Sequence, residues 1–231
     1  MTTLHSFAGG TDGSSPDTTL LRASDGNFYG TTLYSVFKMT PAGRVSTVHL
    51  FCEQLSCGGF DPFGGLIQAT DGRIYGTTAG GGTGTNCSNG CGTIFSITAN
   101  GSLTTLHNFN ETDGRNPYGG LIQFTNGILY GTTLLGGSSS GYGTIFSLDM
   151  GLGPFVTFVQ ASGRVGRTGG ILGQGFTGTT SVSLNGVPAS FTVVSDTFIK
   201  ATVPPGATTG YVTVTTPSGT LTSNVPFHVI R

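Results

Sequence analysis

Apolar and polar residues alternate along this chain in short bursts of period two, never at helical spacing, which predicts strands throughout. One burst, PFGGLIQAT (62–70), runs through Asp71-Gly72 into RIYGTT (73–78). The same arrangement occurs in PDTTLLRAS (16–24) before DGNFYGTT (25–32), and in PYGGLIQFT (117–125) before NGILYGTT (126–133). The Tyr-Gly-Thr-Thr copies stand 46 and 55 residues apart. Each Asp-Gly or Asn-Gly suits a two-residue hairpin turn with φ > 0.

After a Gly-rich gap, each copy continues with SVFKMT (35–40), GTIFSIT (92–98) or GTIFSLD (143–149). A further strand follows as RVSTVHLF (44–51) and SLTTLHNF (102–109), with FVTFV (155–159) as its degenerate third version. Four antiparallel strands in roughly 50 residues, repeated in tandem, is the pattern of a propeller blade. The expected fold is therefore all-β: three four-stranded propeller-type blades over residues 1–158. A leading strand, TTLHSF, has the sequence of a blade's fourth strand. Propellers close with at least four blades. Either two chains pair as a homodimer completing a six-bladed ring, or further blades lie upstream.

With their Tyr-Gly-Thr-Thr, Gly-Thr-Ile-Phe and Leu-His-x-Phe signatures, residues 1–158 resemble the GloVer tandem repeats of bacterial exported proteins. The resemblance implies an exported protein and a repeat architecture, and it brings no settled activity with it. Proteins with these repeats usually carry a surface-sorting or anchoring segment, which this sequence does not show.

Residues 159–231 have a different pattern. Val182/Leu184, Phe191/Val193, Ile199/Ala201/Val203, Val212/Val214 and Phe227/Val229 alternate so that each set faces one core. Turn signals fall at Asn185-Gly186, Pro204-Pro205-Gly206 and Pro217-Ser218-Gly219. This part resembles the IPT/TIG family, which implies an immunoglobulin-like β-sandwich. Gly169-Gly170 departs from the β-branched residues usual in that family's first strand, so a weakly held strand is expected there.

Composition narrows the function. Charged residues are 8% and the net charge is −1, against about 25% charged in ordinary soluble domains. Without a basic cluster the electrostatic drive for nucleic acid is missing, so no nucleic-acid partner is expected. No run of eighteen apolar residues occurs. The start, MTTLHSFAGG, has neither a charged n-region nor an apolar h-region. Cys52/Cys57 and Cys87/Cys91 form two close pairs in Gly-rich segments. No His or acidic cluster stands beside them, which favours disulfides over a metal site. Disulfides imply an oxidising compartment. The expectation is a secreted or cell-surface protein of which this chain is a piece, with no metal or cofactor.

In a meander, alternate connections lie at opposite ends. One end holds the hairpin turns; the other holds the gaps and the links between blades. The gaps are three, fifteen and eleven residues long in the three copies, and both cysteine pairs lie at that end. Binding sites concentrate in such loops on a rigid scaffold. Candidate binding residues there are Phe63, Asn116, Tyr118 and Tyr142, for a polysaccharide or another surface polymer. The chain has no Trp, so Tyr and Phe would supply the stacking surface. Candidate acid–base residues are Asp12, Glu53, Asp61, Glu111 and Asp113, with the three Asp placed in equivalent links. A carboxylate pair would suit glycoside hydrolysis, although Asp before Gly or Pro first reads as turn chemistry. His5, His49 and His107 fall at one phase of the outermost strand and read as structural, as does His228. Ser139, in GSSSG (137–141), lacks the strand–turn–helix setting of a nucleophile elbow. GGGTGTNCSNGCG (80–92) lacks the Lys and helix of a phosphate cradle. The sequence thus supports a non-catalytic extracellular interaction module, with a secreted glycoside or ester hydrolase as the alternative.

Overall fold

A computed structural model describes residues 1–51, 59–84, 86–138 and 141–230. Cys52, Glu53, Cys57 and Ser139 fall outside the described residues. The chain divides into two compact units, Met1–Gln123 with Leu129–Leu148, and Phe124–Ile128 with Asp149–Arg231.

The first unit contains three successive antiparallel meanders. Strands β1 (Leu21–Arg22), β2 (Phe28–Thr32), β3 (Ser35–Met39) and β4 (Val45–Leu50) form one sheet in sequence order. Strands β5 (Ile67–Gln68), β6 (Ile74–Thr78), β7 (Thr93–Ile97) and β8 (Leu103–Asn108) form the second. The third has only β9 (Ile122–Gln123), β10 (Leu129–Thr133) and β11 (Thr144–Leu148). The expected fourth strand, FVTFV, does not join it: its Thr157–Phe158 segment belongs to the second unit. The leading TTLHSF is likewise not part of any described sheet.

Register explains the repeated letters. The motif glycine always faces the phenylalanine of the next strand: Gly30↔Phe37, Gly76↔Phe95 and Gly131↔Phe146. A Cβ at these glycines would lie 2.6, 2.6 and 2.4 Å from the ring Cζ, and a leucine methyl (Leu20, Leu66, Leu121) closes the other side. The glycine is thus the floor on which the ring lies. Each ring is met from the preceding repeat by the phenylalanine of Leu-His-x-Phe or its variant. Phe7–Phe37, Phe51–Phe95 and Phe109–Phe146 have centroids 5.1, 5.4 and 5.1 Å apart, edge to face. Such pairs add about 0.5–1.5 kcal/mol beyond area burial, so successive repeats are joined by the same interlock each time.

The last motif threonine shares a hydroxyl bond with the residue opposite it. Thr32–Ser35, Thr78–Thr93 and Thr133–Thr144 span 2.7, 2.8 and 2.9 Å. The motif tyrosine, buried as Tyr29 and Tyr75, donates its hydroxyl to the turn aspartate, Asp25 (2.9 Å) or Asp71 (2.7 Å). The turns themselves differ from the two-residue form expected. Ala23 N–H reaches Asn27 O while Gly26 N–H reaches Ala23 O, and the 69–73 and 124–128 turns repeat this. Only the glycines have positive φ: Gly26 81°, Gly72 81° and Gly127 92°. These are three-residue type I turns with a glycine bulge. The Asp or Asn side chain accepts the N–H two residues on, which is why that residue type precedes the glycine.

The second unit holds β12 (Thr157–Phe158), β13 (Ser162–Arg164), β14 (Thr168–Leu172), β15 (Ser181–Leu184), β16 (Val187–Pro188), β17 (Phe191–Ser195), β18 (Phe198–Thr202), β19 (Val212–Thr216), β20 (Gly219–Thr222) and β21 (His228–Ile230). One sheet has the order β12-β14-β18-β17 and another β16-β15-β19-β20, with β13 and β21 as a parallel pair. Ile171 and Ile199 from the first share one core with Val182 and Val214 from the second, closed by Phe176 and Phe227. Asn185-Gly186, with φ 47° and 82°, is a true two-residue hairpin turn between β15 and β16. Gly169 and Gly170 pair with Ala201 and Lys200 of β18. β14 is paired on both sides, and a Cβ at Gly170 would meet Phe198 at 2.7 Å and Val159 at 2.8 Å. Neighbours fill the place of a side chain at Gly170, whereas a Cβ at Gly169 would meet nothing within 4 Å.

Candidate functional site

The links that open each repeat share one geometry. Gly13, Gly59 and Gly114, with φ 90°, 138° and 132°, press against the last motif threonine; a Cβ would lie 2.7, 2.4 and 2.5 Å from Thr32, Thr78 and Thr133. Two residues later Ser15, Asp61 and Asn116 adopt φ 53°, 56° and 52°, each followed by proline. Asp61 is therefore the counterpart of Ser15 and Asn116, whereas Asp12 is the counterpart of Asp113. The three aspartates thus lie in equivalent links, as expected, but at two different positions within them. Alignment on the proline, not on the acid, would have shown this.

After that proline the chain presents the ring residues. Tyr118 N–H bonds Asn116 O, and Phe63 N–H bonds Asp61 O, both at 2.9 Å. The same local bend on adjacent repeats brings the Phe63 and Tyr118 rings to 5.5 Å between centroids, with planes 30° apart. Tyr118 remains 45% exposed and Phe63 half-buried. Gly64 and Gly119 allow this approach, since a Cβ at Gly64 would lie 2.8 Å from Gly119 O. Asn116 is not free to hold a ligand through its amide nitrogen: Nδ2 donates to Ala79 O (2.8 Å), and its backbone N–H donates to Cys91 O (2.9 Å). It ties the third repeat to the second. Tyr142 projects from the third gap with 87% of its surface exposed.

The fifteen-residue gap of the second repeat is knitted to the link that follows that repeat. Thr83 N–H bonds Asn108 Oδ1 and Asn86 Nδ2 bonds Asn110 O, both at 3.0 Å. Cys87 and Cys91 are joined as a disulfide. Glu111 Oε2 lies 3.3 Å from Cys87 Sγ and 3.2 Å from Arg115 Nη1. The two sulfurs and the Glu111 carboxylate lie within 4.8 Å of one another. A metal could take them only after reduction, because a disulfide has no thiolate to offer. Arg115 was not singled out from sequence; it balances Glu111, and its Nε is buried without a hydrogen-bond partner among the described residues.

The remaining carboxylates are engaged locally. Asp113 accepts from Asn110 N–H (2.9 Å) and lies 2.8 Å from His107 Nε2. Asp12 accepts from Ala8 N–H (2.8 Å) and lies 3.0 Å from His5 Nε2. The Ala8 N–H, with His5, holds the Asp12 carboxyl below its ordinary value. Asp and His therefore staple each link to the outer strand, a pairing visible in sequence only as a histidine six or seven residues before Asp-Gly. Burial pushes the Asp61 carboxyl up. Burial also lowers His49, whose ring bonds the backbone of Gly101. Among the described residues, Asp12 and Asp113 each meet a histidine and Glu111 meets Arg115, and none of these carboxylates bonds another.

Tandem β-meanders with near-identical register, followed by a β-unit whose two sheets share a core, define a repeat protein with an appended all-β domain. The chain belongs to the Gloeobacter/Verrucomicrobia repeat family, whose pattern matches residues 1–187. Residues 154–229 match the IPT/TIG domain. Curated proteins give no match to this sequence. Among solved structures, a fungal alcohol oxidase of the AA5 family is similar at 14% identity and TM-score 0.41, over 94% of this chain and 55% of the oxidase. A gluconolactonase from Xanthomonas campestris is similar at 12% identity and TM-score 0.42, over 95% of this chain and 77% of the lactonase. A streptogramin B lyase is similar at 12% identity and TM-score 0.36, over 92% and 68%. The chain thus spans about half the length of the oxidase, and likenesses this distant transfer no chemistry to it.

Proposed function

We propose that this protein is a non-catalytic extracellular or cell-surface interaction module that binds a polysaccharide or another surface polymer through the loop end of its repeats. On this reading the meanders are propeller-type blades and the second unit is an immunoglobulin-like sandwich that spaces or displays them. One observation carries the reading: adjacent repeats use the same glycine–proline link to hold Phe63 and Tyr118 as a ring pair, with Tyr118 accessible. Flat, partly exposed rings on a rigid frame suit the apolar faces of sugar rings, and the disulfide-tied gap beside them adds amide and hydroxyl groups. The local engagement of Asp12 and Asp113 with histidines and backbone N–H groups favours binding over hydrolysis. The raised Asp61 carboxyl is the one feature on the side of a hydrolase. Tyr118→Ala tests the site. We expect retention on an insoluble polysaccharide to fall at least about tenfold, near the 1.4 kcal/mol that one lost ring contact can supply, with an unchanged melting temperature. Equal retention by wild type and variant would remove the ring pair from the site.

A further inference from the structure

We propose that residues 1–7 of a second copy add to the free edge of β11 as the missing fourth strand of the third sheet, so that two copies close into one assembly of six sheets. The occupant is written in the sequence. MTTLHSF (1–7) matches LTTLHNF (103–109), the strand that covers β7, at five of seven positions. TIFSL (144–148) matches TIFSI (93–97), which is β7, at four of five. The observed pairings Ile94↔His107, Phe95↔Thr105, Ser96↔Thr104 and Ile97↔Leu103 transfer to Ile145↔His5, Phe146↔Thr3, Ser147↔Thr2 and Leu148↔Met1.

Both halves of this junction stand open in the single chain. Ile145 is 83% exposed, whereas its counterparts Ile94 and Val36, in sheets that have a fourth strand, are 1% and 0% exposed. Residues 1–8 belong to no described strand, and Leu4 is 60% exposed. Among the described residues, no backbone N–H of residues 2–7 has a protein acceptor. Yet the leading segment is already placed as a fourth strand would be against its own copy. Phe7 packs on Phe37 as Phe51 packs on Phe95 and Phe109 on Phe146. His5 meets Asp12 as His107 meets Asp113. A strand held in that position needs a third strand on its open side, and β11 of another copy has the sequence of one. An unpaired edge of five residues is also a liability that proteins ordinarily cover. Two copies bring six such sheets together, inside the range of closed propellers.

The test uses the whole chain, mixing Thr2→Cys protein with Ser147→Cys protein and oxidising. A disulfide-linked pair at twice the 23.5 kDa chain mass is expected. Thr3→Cys mixed with Ser147→Cys should give at least tenfold less, because a one-residue slip turns the side chain to the other face. Wild type should have twice the chain mass in solution. Ile145→Lys, at a position exposed in the single chain, should revert it to 23.5 kDa with an unchanged far-UV circular dichroism spectrum. A wild type of single-chain mass at the concentration of the crosslinking reaction would overturn the proposal. So would a dimer that shows no preference between Thr2 and Thr3, or one that survives Ile145→Lys.

Discussion

Replacing Gly76 by alanine tests the reason given for the repeated motif. Gly76 does not have positive φ, so backbone strain is not at stake. On an open strand the change would stabilise by about 0.4–1 kcal/mol, by narrowing the unfolded ensemble. Here the new methyl would lie 2.6 Å from Phe95 Cζ and 2.8 Å from Leu66 Cδ2. Neither can retreat easily: Phe95 is fully buried, and Phe51 backs it at 5.4 Å. Overpacking of a filled core costs about 1–3 kcal/mol. The net expectation is a loss of about 0.5–2 kcal/mol, which lowers the melting temperature by roughly 2–6 °C for a unit of this size. Thermal melts followed by circular dichroism measure it. A cycle with Phe95→Leu separates the cause, since the smaller side chain should make room and give a coupling of at least about 0.5 kcal/mol. An alanine variant that melts higher than wild type, or a cycle that adds without coupling, would refute the ring-on-glycine account.

Burial and the Asp25 carboxylate push the Tyr29 hydroxyl up to about 12. A raised folded pKa contributes stability that is complete below about pH 10 and lost as pH rises toward 12; phenolate absorbance should show Tyr29→Phe removing one late-titrating group. Burial lowers the His49 ring, so its contribution is present above about pH 6.5 and lost as pH falls below that value. Acid titration of melting temperature should flatten in His49→Leu. Cys87 and Cys91 close a loop with a separation of four residues. Reduction, or Cys87→Ser with Cys91→Ser, should lower stability by up to about 2 kcal/mol, read as a lower melting temperature in reductant.

Much of the first unit was legible because its signals are local. Asp-Gly and Asn-Gly mark a turn whatever surrounds them, and period-two alternation marks the strands on either side. The turn class was not legible, since a three-residue type I turn with a glycine bulge and a two-residue turn both favour that dipeptide. Only the hydrogen bond from Ala23 to Asn27, against the closure of Leu184 on Val187, separates them. FVTFV misled for a related reason. Its alternation suits the edge of either unit, but Val156 bonds Thr222 O and β12 pairs with β14, so the strand stays with the second core. Of the candidate site, the aromatic residues could be named but not paired. The contact between Phe63 and Tyr118 depends on the left-handed residues Asp61 and Asn116 before their prolines, a conformation that composition does not reveal. Gly30, Gly76 and Gly131 were visible as a motif, whereas their role as floors for phenylalanine rings needed the register.

The central claim is that the loop end binds polymer without cleaving it. Its most direct test is depletion of the whole chain from solution by a panel of washed insoluble polysaccharides, with the supernatant read over time for released sugar. The account predicts protein lost to at least one polymer, no sugar released, and retention lost in the Tyr118→Ala/Tyr142→Ala variant. Sugar accumulating with time, abolished by Asp61→Asn, would contradict it and make the protein a hydrolase; absence of depletion on every polymer would contradict it equally.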